Sequence, residues 1–175
     1  MKHLKLWHIV GAIFTLILGT LLHFTYDWSG MNEFISYITP VNESIWEHQK
    51  LLFTPMILFM IIELFNYGKD LPNFIQVKVL SIIVGILVTI ASYYTYTGII
   101  GYNCLIADIG TFVLGTLVAY LFSYHFLQTT CFSSPLSRIV MLILLVLLML
   151  CFVLFTVNPP QIPLFQDAPT GTYGR

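Results

Sequence analysis

Three groups of ionisable residues carry the chemistry available to this chain. His23 and Asp27 are one helical turn apart. The run Asn42-Glu43-Ser44-Ile45-Trp46-Glu47-His48-Gln49-Lys50 is the densest polar stretch, and Asp108 stands alone in an apolar segment. An imidazole beside a carboxylate is the arrangement that orients a base or a metal-bound histidine. Asn42, Glu43, Glu47 and His48 form a compact set of oxygen and nitrogen donors. Histidine among carboxylates suits zinc or manganese better than calcium, which prefers all-oxygen shells. His23, Asp27, Glu43, Glu47, His48 and Asp108 are therefore the candidate metal ligands. The candidate catalytic groups are Glu47 as general base, His23 and Asp108.

Each group also has a plain structural reading. Ser44-x-x-Glu47 is the pattern of a capping box that starts a helix, and Trp46 then reads as an anchor at the membrane interface. Asp108 can form an ion pair with Lys50. His23 and Asp27 can simply end a helix among lipid headgroups.

These residues are held by a membrane protein. Of 175 residues, 58% are hydrophobic and 9% charged, whereas a water-soluble domain carries about a quarter charged residues. The net charge of −1 leaves no basic surface for nucleic acid. Membrane lipid is the expected partner. Cys104, Cys131 and Cys151 form no CxxC pattern, so they read as free thiols packed as small hydrophobes. Lys2 and Lys5 before a long apolar run, with no small-residue cleavage pattern after it, read as an uncleaved signal-anchor helix.

A helix needs about 20 mostly apolar residues to cross the hydrocarbon core. Five stretches qualify, at about 6–28, 45–67, 77–98, 103–126 and 136–157, and together they make an all-α bundle spanning residues 1–157. Pro55 removes a backbone donor within the second and predicts a kink. Residues 29–41 are too few and too polar to span. Phe34, Ile35, Tyr37 and Ile38 predict a short interfacial helix there, stopped by Pro40. Residues 158–175 are rich in proline and form an extracytoplasmic segment, either a loop folded over the mouth of the bundle as a lid or a loose tail.

The positive-inside rule sets the orientation. With the N-terminus in the cytoplasm, Lys2, Lys5, Lys69, Lys78 and Arg138 lie inside, and only Lys50 and Arg175 lie outside. Asp27, Glu33, Glu43, Glu47, Asp108 and Asp167 then share the outer side, which favours a cation or a cationic ligand there. Glu63 and His8 fall near the inner ends of their spans and read either as an inner half-pathway for protons or, the plainer reading, as residues at the headgroup boundary.

Membrane helices approach closely where residues are small. Gly11, Thr15 and Gly19 lead to His23 and Asp27 on one face of the first span. Ser81, Gly85, Thr89 and Ser92 mark the third, and Thr111, Gly115 and Ala119 the fourth. Spans one, three and four are the expected core. The fifth is the expected lipid-facing wall, and the second should offer only its polar first turn to the outer mouth.

The run Pro40-Val41-Asn42-Glu43-Ser44-Ile45-Trp46-Glu47-His48-Gln49-Lys50, the upstream His23 and Asp27, and the tail Pro163-Leu164-Phe165-Gln166-Asp167 through Thr170-Gly171-Thr172-Tyr173-Gly174 resemble a family of small membrane proteins of unknown function, mainly from Gram-positive bacteria. The resemblance implies a bacterial plasma membrane and no activity. Membrane hydrolases of the alkaline ceramidase type offer a second comparison, but this chain lacks their late HxxxH pair.

Three functions are compatible with these residues. One is a metal-dependent membrane hydrolase acting on a lipid or headgroup, with metal-polarised water as the attacking group. Another is a non-enzymatic protein that binds lipid or a partner at its outer face. The third is a small ion-coupled transporter, a reading weakened by the lack of evident charge deep in the spans and of repeat symmetry.

Overall fold

The computed structural model describes residues 3–175; Lys2, counted above among the inner bases, lies outside them. The chain forms α1 (Leu4–Trp28), a single turn α2 (Glu33–Ser36), α3 (Ile45–His48), α4 (Lys50–Asn66), α5 (Phe74–Ile100), α6 (Leu105–Phe126) and α7 (Pro135–Val157). Helix α3 runs into α4, and the two make one span, Ile45–Asn66. The five long helical segments are apolar enough to cross a membrane. No strand is present among the described residues beyond one isolated bridge between Gln166 and Tyr173.

Local chemistry explains the boundaries. Asn32 caps α2 by accepting the N–H groups of Phe34 and Ile35. Ser134 caps α7, and Pro135 stands at its first turn, where a missing N–H costs nothing. Helix α5 ends on Gly101, whose φ of +87° suits glycine and whose N–H returns to Thr97 at 2.7 Å. The expected α2 lies where Phe34 is exposed, and α7 is the most exposed of the spans, with 11% of its most apolar stretch buried.

The second span differs from expectation. It and α5 are each 56% buried, against 28% for α1 and for α6. The span that was expected to offer only its first turn is therefore part of the core. The small stripe of α1 receives the large side chains and bare backbone of α4. A Cβ on Gly11 would lie 2.5 Å from the Phe59 ring, and one on Gly19 would lie 2.4 Å from the carbonyl oxygen of Leu51. Pro55 has no N–H for that carbonyl four residues earlier. Helix α4 continues through Pro55, and the break in the span falls instead at Gln49. Across the bundle, α5 and α6 meet at Gly85 and Gly115, where a Cβ on Gly115 would lie 2.7 Å from the Gly85 carbonyl oxygen. Small residues thus set both crossings.

Candidate functional site

At the end of the bundle opposite the amino terminus, His23, Glu43 and His48 converge. One ligand atom from each lies within 4.8 Å of the other two. His48 Nε2 is 3.3 Å and His23 Nε2 3.8 Å from the same Glu43 oxygen. Ligand atoms bound tetrahedrally to zinc at about 2.0–2.2 Å sit about 3.4 Å apart, close to the two histidine–glutamate spacings here. The side chains are 34%, 49% and 27% exposed in the order His23, Glu43, His48, so all three are partly open to solvent.

The three residues come from separate parts of the chain. His23 continues the buried stripe Gly11, Thr15, Gly19 on α1. His48 ends α3, and its Nδ1 lies 2.9 Å from the carbonyl oxygen of Ser44. A carbonyl only accepts, so Nδ1 carries the proton. Nε2 is then a lone pair facing a carboxylate unless a proton or a metal stands between them. The site demands a positive charge at that point. The hydrogen bond from His48 correspondingly holds the Glu43 carboxyl below the usual carboxylate range, against the opposing effect of partial burial.

Glu43 sits in a loop that is fastened on both sides. Asn42 Oδ1 accepts the Ser44 N–H, and Ser44 Oγ accepts the Glu47 N–H. From the far end of the chain, Asp167 Oδ1 accepts the Glu43 N–H at 2.7 Å, and the Gly174 carbonyl accepts from Asn42. Asp167 also accepts from Thr170, and the Arg175 N–H reaches Thr156. Residues 158–175 therefore brace the Glu43 loop. The sequence offered a folded-over loop or a loose tail here; the particular contacts to Asn42 and Glu43 escape sequence reasoning because nothing local marks a contact between residues so far apart.

A cavity of about 250 Å³ adjoins the trio, with His23, Asp27 and Glu43 as its ionisable walls and Phe24, Tyr26 and Val41 among the apolar ones. Asp27 is exposed and lines this cavity without joining the close set. Phe24 stacks on Trp28 beside it, and both are exposed at the helix end.

Glu47 points elsewhere. Its side chain is buried, and its oxygens are taken by Lys50 Nζ at 2.6 Å, the Val41 N–H at 3.1 Å and the Thr156 hydroxyl at 3.0 Å. It supplies the cap pattern at Ser44 only in part, since the Ser44 N–H goes to Asn42. Lys50 pairs with Glu47, where the sequence offered Asp108 as its partner. Its ammonium also donates to the carbonyls of Ser36 and Thr39 and to Thr156. This hub ties the loop after α2 to α4 and α7. Asp108 accepts the Tyr96 hydroxyl and makes no ion pair among the described residues, though it is near enough for its charge to act on His48. Trp46 is packed against Phe152, Phe155 and Phe165, an internal aromatic cluster where an interfacial anchor was expected.

The amino-terminal end of the bundle holds a second polar group. Glu63 and Lys78 form an ion pair with both side chains buried. His8 is buried against Ser123, with Nε2 3.0 Å from its hydroxyl. Both His8 and Glu63 were expected at the headgroup boundary. Helices α4 and α5 form a hairpin about residues 67–73, and Glu63 and Lys78 are nearly equidistant from that turn. Hairpin arithmetic on the sequence is the signal that pairs them.

Among curated proteins and among solved structures, nothing matches the chain. A family model does match it over residues 1–175, and the protein belongs to that family, described as a family of unknown function (DUF6512).

Proposed function

We propose that this is an integral membrane protein that binds a divalent metal, zinc or manganese, through His23, Glu43 and His48. In this reading it uses the open coordination position to activate water against the polar part of a lipid. One observation carries it: two imidazoles and a carboxylate converge beside a cavity at one end of the helix bundle, with His48 Nε2 turned onto Glu43. Three protein ligands with a free fourth position is the pattern of catalytic zinc, whereas structural sites are closed by four. A bound metal would supply a water made acidic enough to ionise near neutral pH. The cavity is below the usual range of about 300–1,000 Å³ for whole small-molecule ligands, which fits a headgroup with its acyl chains left in the membrane. Asp27, on the cavity wall, would serve as the proton acceptor in this reading; Asp108 adds negative charge near His48.

We place the N-terminus in the cytoplasm and the site at the extracytoplasmic face on the strength of the Lys and Arg bias, and the membrane as a bacterial plasma membrane on the strength of the resemblance alone. Membrane-impermeant labelling of a cysteine introduced at Thr172 in intact cells tests this; labelling only after permeabilisation reverses the orientation.

The test of activity is headgroup release from phospholipid mixed micelles by purified protein with zinc or manganese. Turnover that stops on chelation and in His48→Ala supports a hydrolase. Tight metal binding without turnover favours the alternative of a lipid- or partner-binding membrane protein. A small ion-coupled transporter stays as a second reading because Glu63 and Lys78 put charge inside the bundle.

A further inference from the structure

The two buried lysines of this bundle are built differently. Lys50 is saturated: its ammonium reaches two backbone carbonyls, one hydroxyl and the Glu47 carboxylate. Such a group is a structural post. Lys78 is just as buried, yet its only polar partner among the described residues is Glu63, and Nζ otherwise faces the Tyr120 ring at 5.2 Å. Two of its three N–H donors have no acceptor. An ion pair this poorly supported adds little to stability compared with apolar residues of the same size, and ionisable groups within membrane spans mark proton or ion pathways by default.

Glu63 has a second polar contact that Lys78 lacks. Tyr67, half-buried just beyond the end of α4, donates its hydroxyl to Glu63 Oε1 at 2.6 Å. Beyond it lie the exposed Lys69 and Asp70. Gly68 makes the turn tight, since a Cβ there would lie 2.8 Å from the Phe74 ring. The other titratable groups around the pair are His8 of α1 and Tyr120 and Tyr124 of α6. His8 Nδ1 donates to the Leu4 carbonyl and Nε2 is engaged by the Ser123 hydroxyl, so both ring nitrogens are taken and neither pairs with Glu63.

We propose that Glu63 and Lys78 form a buried proton-exchange site, loaded through Tyr67 from the amino-terminal end of the bundle. In loading, Tyr67 passes its hydroxyl proton to Glu63 and takes one from a hydronium ion, which leaves as water. The net step is one proton from hydronium to the carboxylate. Lys78 keeps its proton and loses its counter-ion, which cuts the polar tie between α4 and α5. Release runs the same transfers backwards. The site is independent of the His23–Glu43–His48 trio.

Infrared difference spectroscopy on the purified full chain, acidified stepwise without added metal, tests the proposal. The expected result is a protonated-carboxyl band equivalent to one group that disappears in Glu63→Gln. In Tyr67→Phe the same band should shift in frequency, because its hydrogen bond is gone. Lys50→Gln and His23→Ala should leave it in place. A wild-type protein with no such band, or a band unchanged in Glu63→Gln, would show a permanent ion pair and overturn the proposal. Should Glu63→Gln fail to fold, an unmoved band in Tyr67→Phe overturns it as well.

Discussion

The Asp167 carboxylate accepts the backbone N–H of Glu43 at 2.7 Å, joining positions 124 residues apart in the chain. Asp167 is buried, and its other oxygen holds Thr170. The last segment of the protein thus sets the position of a candidate ligand near the first. Asp167→Ala should weaken metal binding by about 10–100-fold, the usual effect of removing a group that orients a ligand. Calorimetric titration with zinc measures it. Unchanged affinity in a folded variant would show that the tail does not position Glu43.

Lys50 and Glu47 yield a stability prediction. Lys50→Met leaves the Glu47 carboxylate buried without its cation, a change that costs about 3–5 kcal/mol. The double variant Glu47→Leu, Lys50→Met should recover a large part of that loss, since no lone charge remains. Thermal unfolding in detergent checks both. A double variant as unstable as the single would show that the hydrogen bonds of Lys50 to Ser36, Thr39 and Thr156 matter more than charge balance.

Gly19 gives a third. Its missing Cβ lets the Leu51 carbonyl approach, and that carbonyl is fixed backbone. Gly19→Ala should destabilise by about 1–3 kcal/mol, the range for overpacking. Gly110→Ala, with nothing within 4 Å of the added Cβ, should be neutral or slightly stabilising. Equal effects at both positions would contradict the α1–α4 crossing.

What the sequence made legible follows from which signals are local. Five spans were readable because each holds a mostly apolar run of about 20 residues, and the Gly11–Thr15–Gly19 stripe did mark a buried face. The place of α4 in the core was not readable. Leu52, Phe53, Met56 and Phe59 are buried there, but in a membrane large apolar residues face lipid as readily as protein. The polar run was visible as a cluster, yet its sorting was not. Glu43 and Glu47 look equivalent in sequence, and only the fold sends one to the histidines and the other to Lys50.

Acid titration separates Glu43 from the bundle. Its carboxyl is held below the usual carboxylate range by His48. A group with a lowered folded pKa contributes stability that is present above its unfolded value, about 4.3 for glutamate, and is lost as pH falls through the folded value. Melting temperature in metal-free buffer should therefore drop less on acidification in Glu43→Gln than in wild type. Identical acid profiles would mean that the hydrogen bond from His48 contributes nothing to folding.

The central claim is that His23, Glu43 and His48 bind a divalent metal, and elemental analysis of gently purified protein after equilibration with zinc or manganese tests it most directly. The expected result is one ion per chain, reduced in each of His23→Ala, Glu43→Gln and His48→Ala, with a higher melting temperature in the metal-bound wild type. Metal-free wild-type protein whose melting temperature does not move on adding either ion would contradict the claim and leave the trio as a proton-bridged ion pair.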